Sequence, residues 1–391
     1  MTESAYPRGA FPRRVLAEER RIVSLTALLH GVVHANILSV PVFLERAWRT
    51  EFGADDVTLG LLASTAYVAF GVGSVPFGFL ADRYPAPRLL ALCVSGILGG
   101  LAALSLSPGL ASVAGSLAVL GLFSGIYHPT GLSLISRGVR KQGRGMGWHG
   151  VGGSLGIALG PAAVGGLLGL GWPWRSAAAV LMVPAAAGLA VLVLSGLRDP
   201  IPARTREPLL RSLRAVLAGS LPLVLLVYVC AGIAYWGSLT FLPRFVGTES
   251  YVVLLALGAV GQLASGHLAD RARPERVLLI LSLLAASLLL TLAFPVFDGF
   301  PSVAWGFGLL IFSLEPLQNT LVASAVPPGR RGLAFGLTFL SVFGLGSVGA
   351  ALAGILLQSS QAGLLFTILA GSLAMSGAFG LLAGRASRKN D

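Results

Sequence analysis

Charged side chains are scarce in this sequence. Asp, Glu, Lys and Arg make up only 11% of its 391 residues, and just 16 residues are acidic. A soluble protein of this length carries far more charge on its surface, so a soluble globular fold is excluded. Cysteine is scarce as well. Cys93 and Cys230 both lie in apolar stretches, which excludes a framework of disulfides.

Motifs that carry enzymatic chemistry are missing too. The sequence has no Walker motif and no long polar segment that would form a nucleotide-binding domain, which excludes an ATP-driven pump. It shows no nucleophile or metal constellation typical of a catalytic centre, and no soluble domain through which a receptor would signal. We therefore expect neither an enzyme nor a bound cofactor.

Long apolar segments fill most of the chain, and 55% of all residues are hydrophobic. A helix of about 20 apolar residues crosses the roughly 30 Å hydrocarbon core of a bilayer. The pattern predicts an all-α membrane protein with twelve transmembrane helices. The predicted spans are 22–44, 57–82, 88–107, 110–136, 144–170, 174–196, 218–242, 247–270, 276–297, 301–326, 332–358 and 361–385.

A Pro- and Arg-rich linker, 197–217, separates two bundles of six predicted helices, 22–196 and 218–385. Short tails, 1–21 and 386–391, flank them. The first apolar run is longer than the core of a signal peptide and lacks a small-residue cleavage site, so we expect it to be retained as a helix.

The basic residues predict the orientation of the chain. All but four of the 28 Lys and Arg residues fall on the side of the N-terminus, the exceptions being Arg46, Arg49, Arg175 and Arg244. By the positive-inside rule, both termini are expected in the cytoplasm, in a bacterial-type inner (plasma) membrane. Because the arginines are scattered over loops, the net charge of +12 does not indicate nucleic-acid binding.

Three motifs recur in the two bundles at nearly the same offset. The segment GFLADR (78–83) recurs as GHLADR (266–271), and His128-Pro129 in the fourth span corresponds to Glu315-Pro316 in the tenth. Arg144-Gly145 likewise corresponds to Arg331-Gly332. Such parallel repeats place a substrate site at their interface near the middle of the membrane, and rocking of the halves provides alternating access.

With these motifs the chain resembles the major facilitator superfamily (MFS) of transporters over its whole length. The form GFLADRYPAPR, together with His128-Pro129 and the segment VGGSLGIALGP (151–161), is similar to fosmidomycin-resistance-type exporters. The resemblance implies that Asp82 contacts the beginning of the eleventh helix and latches the outward-facing state. The residues expected to form this latch and its counterpart are Gly78, Asp82, Arg83, Gly266, Asp270, Arg271, Arg330 and Arg331.

The fifth span carries Gly152, Gly156 and Gly160 at four-residue spacing, followed by Pro161. Small residues in such a row let two helices approach closely. Within the superfamily a glycine row that ends in Gly-Pro is typical of antiporters, so the row favours export. General helix packing explains it equally well.

Few ionisable residues are predicted deep in the spans, where they are costly and usually face a cavity or a partner. His30 and His34 lie four residues apart on one face of the first helix, and His128 and Glu315 occupy matching positions of the two repeats. In the superfamily, helices 1, 4, 7 and 10 line the central cavity. We therefore predict that Glu315 is the main proton carrier and that His128 is a substrate contact or relay. His149 is as well explained by packing.

The repeat alignment and helical spacing suggest further cavity residues. The complete predicted set is His30, His34, Asn36, Tyr235, Trp236, Gln318 and Asn319, in addition to the two proton-coupling residues. Aromatic and amide side chains together suit an amphipathic organic substrate.

The leading hypothesis is proton-coupled export of a small amphipathic or anionic organic compound, such as a drug. An uptake symporter for a small organic solute would use the same residues in the opposite direction. A transporter of a transition metal or metal chelate is a third possibility, with His30, His34 and His128 as ligands. The expected partners are the substrate, protons and lipid. The protein is expected to act as a monomer and without a resident metal.

Overall fold

The computed structural model describes residues 13–140, 142–199, 208–269, 271–294, 301–327 and 330–390. Twelve helices of membrane-spanning length form the fold within these ranges. They are α1 (Arg13–Phe43), α2 (Asp56–Ala81), α3 (Ala86–Ser105), α4 (Leu110–Ser124 and Tyr127–Gly138), α5 (Gln142–Gly169), α6 (Trp174–Val180 and Met182–Leu194), α7 (Leu221–Leu239), α8 (Leu242–Ala269), α9 (Pro274–Thr291), α10 (Pro301–Ala325), α11 (Arg331–Phe339 and Val348–Gln358) and α12 (Ala362–Asn390).

A short helix, Leu209–Leu217, precedes α7 and is called the linker helix. Eleven of the described helices are both long and apolar enough to cross a membrane. The remaining one, α10, has 25 residues, and its hydropathy is lowered by the polar residues in its middle. At 1.5 Å per residue α10 is about 37 Å long, which also suffices to span the bilayer.

The helix ends follow from local sequence. The first helix continues past Phe43 through the π-helical turn Leu44–Trp48 and Arg49–Phe52, and ends at Gly53, whose φ of 60° is favourable only for glycine. Asp55 then begins α2, because its carboxylate accepts a hydrogen bond of 2.8 Å from the Thr58 backbone N–H. We call this end of the molecule the far end. The opposite end, where α2 ends and α11 begins, is called the linker end.

The fourth helix is broken at Gly125 and Ile126. Pro129 lacks a backbone N–H, so it cannot donate the helical hydrogen bond to the Gly125 carbonyl. The Ser74 hydroxyl on α2 lies 3.1 Å from that carbonyl oxygen and 2.9 Å from the Phe70 carbonyl oxygen of its own helix, so its one proton is shared between the two acceptors. A neighbouring helix thus satisfies the group that the proline frees, as irregular backbone inside a membrane requires.

Glycines allow α2 and α11 to cross closely where the two halves meet. A Cβ on Gly71 would overlap the Gly344 backbone nitrogen, and a Cβ on Gly78 would lie 2.8 Å from the Gly332 carbonyl oxygen. These two contacts lie about two turns apart on α2. The close approach of the two backbones therefore depends on the absence of side chains.

The predicted glycine row of α5 packs against α1, within the first half of the chain. A Cβ on Gly152, Gly156 or Gly160 would overlap the backbone of α1 at Ala27, Gly31 or Ala35 respectively. Pro161 follows inside the same helix. In this structure the row therefore brings two helices of one half together.

Candidate functional site

A cavity of about 70 Å³ lies between the two halves of the chain. Helices α1, α4 and α5 line it from one half, and α7, α10 and α11 line it from the other. The lining residues are His34, His128, Ile157, Tyr228, Ala231, Tyr235, Trp236, Ile311, Phe312, Leu314, Glu315, Gln318, Asn319, Phe339, Val342 and Phe343. An apolar wall with a few polar groups is typical of sites for small organic molecules.

Seven of the nine predicted proton-coupling and cavity residues line this cavity: His34, His128, Tyr235, Trp236, Glu315, Gln318 and Asn319. The other two, His30 and Asn36, do not. The Asn36 amide donates to the Val32 carbonyl of its own helix at 2.7 Å. The His30 ring lies against the rings of the two cavity histidines.

A chain of hydrogen bonds connects Glu315 with the other half of the molecule. The Gln262 amide on α8 donates to the Glu315 carboxylate at 2.6 Å. The carbonyl oxygen of the same Gln262 side chain accepts a hydrogen bond of 2.7 Å from the Ser154 hydroxyl on α5. Neither residue was predicted, because neither is ionisable or part of a repeated motif. Their polarity within apolar spans is the one signal that the sequence offers.

A second amide also lies beside Glu315. The Asn319 side chain is within hydrogen-bonding range of the Glu315 carboxylate, and its own oxygen accepts a hydrogen bond of 2.8 Å from the Tyr228 hydroxyl. The carboxylate is thus held between two amides, one from its own helix and one from α8. The neighbouring Gln318 side-chain nitrogen has no partner among the described groups.

Four histidines and a tyrosine form a cluster beside the cavity. The ring of His30 lies 4.6 Å from that of His34, 4.9 Å from that of His128 and 4.0 Å from that of His149, between centroids. The His30 Nδ1 atom lies 2.9 Å from the His149 carbonyl oxygen. The Tyr127 hydroxyl donates to the Thr26 carbonyl and lies 3.3 Å from the His149 ring nitrogen Nδ1. His149 therefore packs within the cluster.

Aromatic rings close the space between the halves. Tyr67 of α2 stacks on Trp236 at 3.8 Å between centroids, and Phe70 stacks on Phe343 at 3.9 Å. Phe339 stacks on His128 at 4.1 Å. Phe339 directly precedes a π-helical turn of α11, Leu340–Leu345, which contains Phe343. Such π-bulges are frequent at functional sites because they change the direction of side chains locally.

At the linker end, Asp82 lies at the beginning of α11. Its carboxylate lies close to Gly332 and accepts a hydrogen bond from the Leu333 backbone N–H. Burial raises the pKa of this carboxyl to about 6, an effect that Arg137 and Arg83 oppose. The residues near Asp82 thus agree with the predicted contact between the signature loop and the eleventh helix.

The arginines at this end make further contacts. The Arg331 side chain donates to the Ala323 carbonyl at 3.3 Å, and the Arg137 guanidinium forms an ion pair with Asp199 at 3.1 Å. The Arg83 guanidinium lies 3.3 Å from the centre of the Phe79 ring. Arg330 precedes the first turn of α11.

The counterpart of the latch in the second half is arranged differently. A Cβ on Gly266 would meet no atom within 4 Å, whereas the matching Gly78 contacts α11. Arg271 is exposed. Asp270 lies outside the described residues. The glycine of the first signature therefore contacts the opposite half, whereas the glycine of the second meets no neighbour among the described residues.

At the far end, the four arginines that the orientation analysis set apart are paired with acidic residues. Asp56 on α2 binds Arg49 at 2.7 Å and Arg244 at 2.8 Å, so this pair of contacts joins the two halves. The other pairs are Arg46 with Glu249 at 3.9 Å and Arg175 with Glu51 at 2.6 Å. Contacts between the halves therefore exist on both sides of the cavity.

In the described part of the chain, twelve helices of membrane-spanning length form two related halves around a shared cavity, which is the architecture of a membrane transport protein. The comparison of the sequence with known families agrees with this class. The profile of the Major Facilitator Superfamily matches residues 25–351, and the chain belongs to that family. It is a multi-pass membrane protein and a transporter, not an enzyme.

Two curated proteins are similar to this chain over most of its length. The fosmidomycin resistance protein of Escherichia coli (strain K12) is 26% identical over 377 residues, which cover 89% of this chain and 88% of that protein. An uncharacterized MFS-type transporter of Bacillus subtilis (strain 168), YfnC, is 26% identical over 372 residues with the same coverage.

Solved structures of transporters share the fold. The human organic anion transporter MFSD10 (TETRAN) aligns with a TM-score of 0.74 and 18% identity over 93% of this chain and 99% of that one. A mutant of the peptide transporter POT in complex with alafosfalin aligns with a TM-score of 0.72 and 16% identity, over 97% and 96% of the two chains. The predicted twelve-helix MFS fold is confirmed.

Proposed function

We propose that this chain is a proton-coupled antiporter that exports a small amphipathic or anionic organic compound. The observation that carries the proposal is the position of Glu315 on α10, in the wall of one cavity with His34 and His128 of the other half. Ionisable groups inside a membrane protein typically mark the path of an ion or substrate. We place the protein in the bacterial inner membrane, with the linker end in the cytoplasm.

Glu315 is the proposed proton carrier. As a carboxylate it accepts the hydrogen bond of Gln262, and Gln262 in turn accepts the hydrogen bond of Ser154 from the other half. Protonation removes the negative charge that makes the first of these bonds strong. Proton binding would therefore weaken the bond between α10 and α8. Because the same Gln262 side chain contacts Ser154 of α5, freeing it from Glu315 would couple the proton to the relative position of the halves. His128 would act as a substrate contact or relay.

The cavity also supports the proposed substrate class. Its wall offers aromatic surfaces for an apolar portion of the substrate, and the unpartnered Gln318 nitrogen is a donor for an oxygen atom. The names of two similar proteins, a fosmidomycin resistance protein and an organic anion transporter, agree with a small organic compound. A volume of about 70 Å³ is below the 300 Å³ or more of typical ligand sites, so substrate entry requires the halves to separate at one end.

The linker end is the proposed site of the conformational latch. Asp82 contacts the beginning of α11, and Gly71 and Gly78 of α2 pack directly on that helix. Opening towards the cytoplasm would separate these groups. Asp82 would then enter water, while the contacts of Asp56 with Arg49 and Arg244 would hold the far end closed.

The proposal is tested by flux measurements in proteoliposomes with an imposed pH gradient, starting with fosmidomycin and a panel of small organic anions. Wild-type protein is compared with Glu315→Gln, which keeps the shape of the side chain but cannot exchange a proton. The matched control is Glu249→Gln, because Glu249 is an exposed glutamate at the far end. We expect gradient-driven flux in the wild type and the control, and its loss in Glu315→Gln.

The direction of flux separates the alternatives. Antiport moves the substrate against the direction of proton flow, whereas an uptake symporter moves both in the same direction. Undiminished gradient-driven flux in Glu315→Gln would show that this residue is not the proton carrier. If flux through the wild-type protein is independent of the pH gradient, proton coupling is excluded.

A further inference from the structure

Three histidines of the first half have a buried ring nitrogen without a partner among the described groups. The atoms are Nε2 of His30, Nδ1 of His34 and Nε2 of His128. None of the three residues is more than 8% exposed, and ligand atoms chosen one from each residue all lie within 4.8 Å of one another. We propose that these three histidines bind a divalent transition-metal ion in the wall of the cavity.

The hydrogen bond of His30 defines which of its nitrogens is available. Its Nδ1 atom lies 2.9 Å from the His149 carbonyl oxygen, and a carbonyl can only accept a hydrogen bond. The proton of the neutral ring is therefore on Nδ1, which leaves a lone pair on the unpartnered Nε2. Histidines that bind metals typically donate their other N–H to a carbonyl or carboxylate in this way, because the bond orients the ring.

The distances between the rings allow coordination after a small movement. An ion at the centre of a triangle with 4.8 Å sides lies about 2.8 Å from each corner, compared with about 2.0–2.1 Å for a zinc–histidine bond. Each nitrogen would thus move inward by less than about 1 Å. Neutral imidazole is a preferred ligand of Zn²⁺, Cu²⁺ and Ni²⁺, and a poor one for Mg²⁺ or Ca²⁺.

The site would leave one coordination position open towards the cavity, because His34 and His128 are themselves part of its wall. Among the described residues that line the cavity there is no Lys or Arg. A bound divalent ion would therefore supply positive charge there and could accept an anionic oxygen of a substrate. This last role rests on the proposed function, whereas binding of the ion does not.

Metal binding is measured on the full-length protein, purified in lipid nanodiscs and stripped with a chelator. We expect one Co²⁺ ion per chain, with the visible absorption of four-coordinate cobalt, and its displacement by Zn²⁺. The variants His34→Gln and His128→Gln should each weaken Co²⁺ binding at least about 10-fold. The matched control is His267→Ala, which should leave Co²⁺ binding unchanged. His267 is exposed on α8, and its ring is hydrogen-bonded to the Leu263 carbonyl of the same helix.

Gly153→Ala tests the site without removing a ligand. A Cβ on Gly153 would overlap the His30 ring, so the substitution should displace this ring and weaken binding about 10–100-fold. Thermal unfolding without metal shows whether each variant is folded. X-ray absorption of wild-type protein with one equivalent of Zn²⁺ gives a result that needs no variant, and we expect three imidazole nitrogens around the ion.

Wild-type binding no tighter than that of a variant lacking all three histidines would overturn the proposal. So would a zinc spectrum with fewer than three imidazole ligands. These experiments measure metal binding and no flux. Their result is therefore independent of whether the transport hypothesis is correct, and a failure to bind metal would leave that hypothesis unaffected.

Discussion

Replacement of Asp82 by Asn should make the packing of α2 on α11 independent of pH. Burial raises the pKa of the Asp82 carboxyl from 3.8 to about 6, so its ionised form is unfavourable at this position. A difference of about two pKa units corresponds to about 3 kcal/mol at 1.36 kcal/mol per unit. We therefore expect ionised Asp82 to destabilise the closed linker end by about this amount, relative to a conformation in which Asp82 is in water.

The sign follows from the direction of the pKa change. Below pH 3.8 the carboxyl is protonated in both conformations, and the closed form carries no penalty. The penalty appears as the pH rises from 3.8 and is complete above about 6. The charges that face Asp82 are Arg83 on its own loop and Arg137 on α4, and from α11 the Leu333 N–H donates to it. Arginines do not lose their protons over this range.

The assay measures the distance between spin labels on the two halves at the linker end. Arg88 and Arg273 are exposed there, and each is replaced by cysteine after Cys93 and Cys230 have been changed to alanine. In the wild type, acidification should increase the ratio of closed to open protein with a midpoint between pH 3.8 and about 6, by up to about 100-fold for a 3 kcal/mol difference. Asp82→Asn should be closed at every pH.

Asp55→Asn is the matched control, because Asp55 is a fully exposed aspartate at the opposite end of α2. It should keep the wild-type midpoint. An identical distance distribution at about pH 5 and pH 7.5 in the wild type, or a midpoint that persists in Asp82→Asn, would refute the assignment of this pH dependence to Asp82.

Three further substitutions test other contacts. Gly71→Ala places a Cβ against the backbone of α11, so it should abolish flux in proteoliposomes, whereas Gly99→Ala meets no atom within 4 Å and should leave flux unchanged. Ser74→Ala leaves the carbonyl at the break of α4 without a partner and should lower the free energy of unfolding by about 1–3 kcal/mol; a thermal midpoint equal to the wild type would contradict this. Gln262→Leu removes the link between the halves and should reduce gradient-driven flux as Glu315→Gln does, while unchanged flux would show that the link is dispensable.

Much of the candidate site was predictable because ionisable residues are so rare in the spans. Glu315 and His128 stand out by their cost in hydrocarbon, and their matching repeat positions indicated that both would face the interface. The roles predicted for them remain to be tested. The Ser154–Gln262 link was missed because serine and glutamine are uncharged, and because a serine in a helix often bonds only its own backbone, as Ser39 and Ser238 do here.

The errors of the sequence reasoning also have a physical cause. Depth along a helix, at 1.5 Å per residue, says nothing about the direction in which a side chain points. His30 was therefore expected in the cavity, although it lies behind His34 and His128. The stacking of His149 on His30 is compatible with the packing role that the sequence left open for His149. Arg137 was not predicted to lie near Asp82 for a similar reason. It belongs to α4, which is remote from Asp82 in the chain, and only the packing of the helices brings the two together.

The sequence by itself determined the membrane class, the number of helices and the family, because apolar length, basic loops and repeated motifs are local properties of the chain. The tertiary structure alone decided which side chains meet. The His30 ring and the His149 carbonyl are 119 residues apart, and Ser154 and Gln262 are 108 apart. Whether such residues meet depends on the rotation of each helix about its own axis. That rotation is determined by the simultaneous packing of glycine rows and aromatic rings from several helices.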